Sequence, residues 1–429
     1  MCLKFTIIFE LLIFKCGFSR GNGLCGENGG IFKKYCLTLQ RRKNSGQNSM
    51  NMDKEKLLHS IRVQENSSFR GIDLQIGCNG ERIVTWDDNR LDIWDSDNMQ
   101  NRLSVASVIK PVLSPERKRL LSATEEGNSI CLFDIATGAL LQTMEGHTNT
   151  IRNAHFSMDG KAIVSSSIWD NTVRIWDSSS GQCLHILEMD EISPTNALID
   201  ASGNFIAVHS FSGISVWDIR TKQIIVTYLN HIDVDEKIVF SPDGKQLAYM
   251  YVDVHIWDVD SWTMRCQLKG HSKPANFMVY SSDSNYIATT SYDNTARIWD
   301  AHTGECLHEL EGHGGWPERA VFSNDQTLLA TGCGDAHEIC VWEVATGRCL
   351  HKLQGDFPRV LWIDFNDDGS RLLSATKDGM LRVFDIANGS CLHVFKGSKV
   401  YYRMVVKFLP DGKRIVTISD EGTLNVWRI

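Results

Sequence analysis

The sequence predicts an all-β repeat protein, and three observations carry that prediction. Short strings ending in Trp-Asp or a near variant recur nine times. They are Leu-Asp-Ile-Trp94-Asp95, Cys-Leu-Phe133-Asp134, Arg-Ile-Trp176-Asp177, Ser-Val-Trp217-Asp218, His-Ile-Trp257-Asp258, Arg-Ile-Trp299-Asp300, Cys-Val-Trp342-Glu343, Arg-Val-Phe384-Asp385 and Asn-Val-Trp427-Arg428. Successive aromatics lie 39, 43, 41, 40, 42, 43, 42 and 43 residues apart, which is the period of a repeat architecture. Each unit also places a turn signal at the same point, as in Ser157-Met-Asp-Gly160, Ser241-Pro-Asp-Gly244, Asn366-Asp-Asp-Gly369 and Leu409-Pro-Asp-Gly412. Short β-branched runs between such turns predict antiparallel strands.

Ahead of the repeats stands different material. Residues 1–51 hold eight Lys/Arg and two acids (Glu10, Glu27), so they carry +6 and leave −14 for the rest of a chain whose net charge is −8. Within 4–19, the apolar run Phe-Thr-Ile-Ile-Phe-Glu-Leu-Leu-Ile-Phe follows Lys4; it is too short to span a bilayer but resembles the core of a secretory signal. Glu10 interrupts it, no small-x-small cleavage site follows, and residues 20–51 are polar and aperiodic. The expectation is a poorly ordered, dispensable extension over 1–51 and a folded domain over 52–429, with Met52 an alternative start. Composition excludes the collagen, disulfide-scaffold and polytopic membrane classes, and an acidic domain lacks a nucleic-acid binder's basic footprint.

The sixth unit shows the repeat in full. Gly270-His271 precedes an apolar run to Tyr280; a turn at Ser282-Asp283-Ser284-Asn285 leads to Tyr286-Ile-Ala-Thr-Thr, Ser291-Tyr-Asp293 and Trp299-Asp300. This resembles the WD-repeat β-propeller family over residues 55–429. The resemblance implies a ring of four-stranded blades, each repeat supplying one blade's outer strand and three strands of the next. Radial repetition leaves only short protected edges, and each blade depends on its neighbours for burial.

The chain ends predict closure. Only two residues follow Trp427, so the last blade lacks an outer strand. Four outer strands begin Cys183-Leu-His185, Cys306-Leu-His308, Cys349-Leu-His351 and Cys391-Leu-His393, and Leu57-Leu58-His59 repeats that pattern ahead of the first unit. Residues 56–63 are therefore expected to complete the final blade of a single closed ring of about nine blades. Eight blades with the short, Gly-His-less second unit displaced is the alternative.

In the family a His, a Ser/Thr, a turn Asp and the Trp form a buried hydrogen-bond network. Position by position, this maps onto His271, Ser291, Asp293 and Trp299, and onto His147, Ser167, Asp170 and Trp176. The seventh unit keeps His313 and Asp335 with Cys333 at the mapped Ser position, while the fourth and fifth lack the turn Asp. Because these sets recur blade by blade without a nucleophile elbow, they are structural rather than a hydrolase triad. The Cys-Leu-His copies lie on different blades and cannot converge on one zinc ion. They are expected to be small buried hydrophobes in a reducing compartment, cytoplasmic or nuclear. His231-Ile-Asp233-Val-Asp235-Glu236 is an acidic loop with a metal-like spacing. No catalytic residue, metal or cofactor is implied.

By family analogy, the loops before the first strand and between the second and third strands share one face. They bring Asp87, Asp88, Glu125, Glu126, Asp170, Asp190, Glu191, Asp233, Asp235, Glu236, Asp335, Asp378, Asp420 and Glu421 there, with Lys273, Arg359 and Lys399. Trp86, Trp169, Phe211, Tyr251, Tyr292, Trp316 and Phe357 interleave with them. Aromatics within a charged rim suit a protein or peptide partner, here a basic one. The expected role is a non-catalytic scaffold or adaptor that binds neither nucleic acid nor membrane directly. Trp217-Asp218-Ile219-Arg220 also resembles the motif of WD-repeat substrate receptors of cullin–RING ubiquitin ligases. A propeller enzyme is the rival of another class.

Overall fold

The computed structural model describes residues 57–63, 73–87, 90–106, 109–124, 126–189, 194–200, 203–210, 213–229, 238–250, 252–334, 336–354, 358–397 and 404–429. The candidate signal segment and the His231 loop lie outside them. The chain divides into two units, residues 1–51 and 52–429, and every described residue belongs to the second.

The described strands form nine four-stranded antiparallel sheets. Blade 1 comprises Asp73–Gly77, Arg82–Trp86, Arg90–Asp95 and Asn101–Ala106, and blades 2 to 8 follow in chain order. Blade 9 takes Met404–Phe408, Arg414–Ser419 and Thr423–Arg428 from the C-terminus and Leu57–Arg62 from the start of the domain. Its register sets Leu57 opposite Trp427 and His59 opposite Val426, across a bulge. Cys306 opposite Trp299 and His308 opposite Ile298 do the same in blade 6. Nine sheets with an N-terminal closing strand answer the eight-blade alternative: the second unit stays in the ring, with an inner strand reduced to Val112–Leu113.

Burial follows from blades stacked on both sides. Second strands such as Leu328–Cys333 and Arg414–Ser419 are buried at every position after the first, so an unbroken apolar or hydroxyl-bearing run is what the site accepts. Outer strands alternate instead, as in Cys306–Leu310. The apolar core is accordingly distributed between neighbours. One cluster joins Leu74, Ile76 and Trp94 of blade 1 to Val405, Val416 and Val426 of blade 9; another joins Ile298 and Leu310 to Phe322 and Trp342. The first of these closes the ring.

Polar bridges cross the same seams. Arg414 donates to the Ser96 carbonyl (3.0 Å) and pairs with Asp97 (2.8 Å), tying blade 9 to blade 1. Arg82 reaches the Ala136 carbonyl at 3.0 Å, and Arg119 the Gly160 carbonyl at 2.8 Å. The outer-strand histidines act likewise. His59, His308 and His351 place Nε2 at 3.1, 3.2 and 2.7 Å from the carbonyls of Asp97, Ala345 and Ile386 in the next blade. This gives the repeated Cys-Leu-His its physical reason, and it corrects the expectation for the cysteines. Cys183 and Cys349 are exposed and Cys306 and Cys391 half-buried, because each sits at the bulge of an edge strand. All the described cysteines are free.

Candidate functional site

Blade 6 shows how the family residues are used. Trp299 Nε1 donates to Thr289 Oγ1 (2.8 Å), which lies 2.8 Å from His271 Nε2; His271 Nδ1 lies 2.9 Å from Asp293 Oδ2. With Nδ1–H donating to the carboxylate, Nε2 accepts the Thr289 hydroxyl proton, and each buried polar atom in the relay has a partner. Burial pushes Asp293 up, but hydrogen bonds from Thr295, His271 and main-chain N–H groups outweigh it and hold the carboxyl at about 2. Burial also lowers His271, against the opposing pull of Asp293.

Blade 3 repeats the relay through Trp176, Ser165, His147 and Asp170, with contacts of 2.8, 2.8 and 2.7 Å. The hydroxyl is thus Ser165 or Thr289, two residues before the Ser167 and Ser291 expected from the sequence. The correction has a physical reason. Residues two apart share one face of a strand, so distance decides. Trp176 stands opposite Ile163 and Trp299 opposite Ile287, which puts Ser165 and Thr289 within diagonal reach and the later hydroxyl about 7 Å further along the strand. Ser291 instead donates to the Lys273 carbonyl (2.9 Å) and accepts Asp293 N–H (3.1 Å), pinning the loop that presents the relay. Ser167 does the same with the Thr150 carbonyl at 2.9 Å. Blade 7 is corrected likewise: Thr331 is the hydroxyl, 2.8 Å from His313 Nε2 and 2.9 Å from Trp342 Nε1, while Cys333 follows it. Burial pushes His313 down to about 4 against the field of Glu338. Asp335 lies outside the described residues.

These loops open on the face expected to bind a partner. Trp169 is 73% exposed, Tyr292 48% and Trp316 36%. Tyr292 and Trp316 meet edge-on across blades 6 and 7, with ring centroids 6.0 Å apart. Trp316 Nε1 donates to Glu318 (3.2 Å), whose carboxylate takes two contacts from Arg359 Nη2 at 2.6 and 2.7 Å. Trp86 departs from the exposed set: at 6% exposure it packs with Val84, Leu91 and Ile93, because it ends a second strand buried on both sides. Phe211, Tyr251 and Phe357 lie outside the described residues.

The charge expected on this face also changes. Glu126 and Asp378 are exposed, but Asp420 is buried and Asp170 is committed to the blade 3 relay. Lys110, Arg152 and Lys377 are exposed beside Lys273 and Arg359. Arg152 directly precedes an inner strand, Lys110 stands two residues before one, and Lys377 lies in a turn. Eight of the expected acids, Asp88, Glu125, Asp190, Glu191, Asp233, Asp235, Glu236 and Asp335, and the expected cation Lys399 lie outside the described residues.

The inner strands line a central channel in register. Gln75, Val112, His155, Leu198, Val239, Val279, Val321, Asp364 and Lys407 each stand opposite the third residue of the neighbouring second strand, and all nine are accessible. From blade 4 to blade 7 that level is aliphatic; from blade 8 to blade 1 it is polar. Desolvation pushes Asp364 up to about 6, partly offset by Lys407. Nearer the face, Phe277, Arg319 and Trp362 share one level, and the Arg319 guanidinium lies 5.7 and 5.4 Å from the two ring centroids. Neither the channel's two sides nor this stack was legible, since single inner-strand residues show no pattern until nine strands are aligned. Among the described residues no group of three or more His, Cys, Asp or Glu is placed to hold a metal ion. None of their helices is long and apolar enough to cross a membrane.

The family model for the WD domain, G-beta repeat, matches residues 138–177, 262–300, 304–343, 347–385 and 389–428. The chain belongs to the WD-repeat family. Its matched units include the three with an observed His–hydroxyl–Trp relay. Among solved structures it is similar to the C-terminal WD40 domain of Sif2 (TM-score 0.53, 15% identity, covering 75% of this chain and 95% of that one). It is also similar to the computationally designed Ika8 protein (TM-score 0.50, 24% identity, 76% and 96%). Both likenesses concern the fold.

The curated relatives of this WD-repeat chain include serine-threonine kinase receptor-associated protein of Dictyostelium discoideum, 28% identical over 49% of this chain and 73% of that protein. Set1 complex component swd2 of Schizosaccharomyces pombe is 29% identical over 40% and 53%. Autophagy-related protein 16 of Arabidopsis thaliana is 23% identical over 46% and 40%. The match thus spans from under half to about three quarters of these relatives' own lengths.

Proposed function

We propose that this WD-repeat propeller is a non-catalytic scaffold that binds a protein partner on the face bearing Tyr292, Trp316 and Trp169, with preference for a basic segment. The single observation that carries the reading is the Tyr292–Trp316 pair. Two large rings in edge contact, partly exposed and braced by the Glu318–Arg359 ion pair, form a rigid anchor whose side-chain entropy is already spent. The names of the relatives support the class, since one is a receptor-associated protein and another a component of a complex. Charge supports the basic clause: by sequence position, acids on these loops still outnumber cations after Lys110, Arg152 and Lys377 are added. Free thiols throughout the described domain fit a reducing compartment.

The test is selection of a random peptide library on the full chain and on its Tyr292→Ala/Trp316→Ala variant. Peptides enriched on the parent alone should carry Lys or Arg beside an apolar residue and bind more weakly as salt rises. Identical selections from the two proteins, or a net-acidic consensus, would overturn the proposal. The ubiquitin-ligase reading draws on one further feature. Arg220 of Trp217-Asp218-Ile219-Arg220 is exposed while Ile219 is buried, so the motif's cation is presented to solvent.

A further inference from the structure

A cavity of about 650 Å³ opens into the channel wall where blades 5, 6 and 7 meet, lined by Val239, Phe240, Met278, Val279, Glu318 and Arg319 among others. Its volume falls within the usual range for a small-molecule site, and its lining side chains are apolar apart from Asn276, Tyr280, Glu318 and Arg319. Val239 is 37% exposed within it, a β-branched residue held out of the blade core. The described inner strand of blade 5, Ile238–Phe240, and that of blade 6, Ala275–Tyr280, supply the facing walls of the cavity.

The charged groups sort into two roles. Glu318 is neutralised by the two-contact ion pair with Arg359 and also accepts Trp316 Nε1–H. Arg319 faces the aromatic rings of Phe277 and Trp362 at 5.7 and 5.4 Å, an arrangement that fixes the guanidinium plane before any ligand arrives. With five N–H donors it can keep its present contacts and still take a carboxylate. Register places Arg319 at the level of Phe277, nearer the loop face, and Val279 two residues further in. The site therefore has a cationic mouth and an aliphatic depth. A peptide C-terminus entering from that face would bring its charge to the apolar end; an amphiphile entering tail-first would not.

We infer that this channel-wall cavity binds an aliphatic monocarboxylate, with its carboxylate on Arg319 and its tail along Val239, Met278 and Val279. Five residues of inner strand span about 16 Å, so a medium-length tail fits the wall. The site meets the Tyr292–Trp316 anchor only at Glu318, whose carboxylate is held by Arg359 whether or not Trp316 is present.

Isothermal titration of the full chain with sodium dodecanoate below its micelle concentration tests the assignment, with butanoate and dodecyltrimethylammonium as comparisons. Dodecanoate should bind saturably at one site, with butanoate and the cation both weaker. Arg319→Met should weaken dodecanoate by about tenfold or more, the scale of one charge-assisted contact. Val239→Asp, at a solvent-facing position, should weaken it comparably while the melting temperature stays near the parent's. Tyr292→Ala, which leaves the Trp316–Glu318 contact in place, should leave it unchanged, so failure of the partner-binding proposal and failure of this one are read separately. Absence of saturable binding up to millimolar dodecanoate, equal affinity for the cationic amphiphile, or unchanged affinity in both Arg319→Met and Val239→Asp would overturn the inference.

Discussion

Blades 5 and 6 are neighbours built from the same repeat, yet they solve burial differently. In blade 6, Thr289 joins Trp299 to His271, and Asp293 fastens the loop. In blade 5, the register position of Thr289 is held by Tyr249, which stacks on His255 with centroids 6.1 Å apart. The bulky ring leaves imperfect packing against blade 4. Ile214, Val216, Leu247, Tyr249 and Trp262 enclose a void of about 10 Å³, room for a single water, and Trp262 Nε1 is buried without a hydrogen-bond partner among the described residues. A hydroxyl relay makes a blade's polar groups and its loop interdependent. Aromatic filling keeps the sheet without that interdependence.

The comparison presumes one ring in which blades share stability. Deleting residues 52–63 removes the strand whose Leu58, Ile61 and Val63 pack on the blade 9–1 core. A loss of about 3–5 kcal/mol in chemical denaturation is expected from the apolar area uncovered. An unchanged midpoint would break the premise.

Next in size is the relay itself. Thr289→Val strands two buried polar groups and should cost about 2–4 kcal/mol, whereas Tyr249→Phe in blade 5 should cost under about 1 kcal/mol. Equal losses from the pair would abolish the distinction.

Asp364 in the blade 8 channel wall carries the same logic into pH. Its folded pKa of about 6 exceeds the ordinary 3.8, so the unfolded chain releases the proton first. Stability is therefore lost as pH rises from about 4 to about 6 and stays lower above that range. Asp364→Asn should stabilise by about 1–3 kcal/mol at pH 7 and by nothing near pH 3, read from urea midpoints at the two pH values.

Smaller again, Val216→Ile should fill part of the blade 4–5 void and raise stability by up to about 1 kcal/mol, while the same change at the well-packed Val341 should lower it. Least of all, Tyr292→Ala and Trp316→Ala should shift stability by no more than about 0.5 kcal/mol, since both rings lie outside the core. A larger shift would make them structural rather than an anchor.

Much of this molecule was legible in one dimension because its signals are periodic. The aromatic spacing, the Asp-Gly turns and the Leu57-Leu58-His59 echo of Cys306-Leu-His308 determined nine units, their strands and the closing pair. Repetition averages out the ambiguity of any single short strand. Tertiary structure decided whatever depends on which side of a strand a residue faces, or on what stands beside it in the next blade. Ser165 and Thr289, not Ser167 and Ser291, bridge the relays, because the later hydroxyl, on the same face, stands two residues further along the strand and reaches the loop carbonyls instead of the Trp. Trp86 is core and Trp169 is surface, although both lie at the end of a second strand or the turn after it. The channel's aliphatic and polar sides and the Phe277–Arg319–Trp362 stack join residues about 42 positions apart from one blade to the next, and only the stacking of successive blades brings them to one level. Sequence periodicity sets what each blade is made of; stacking sets which of its side chains meet.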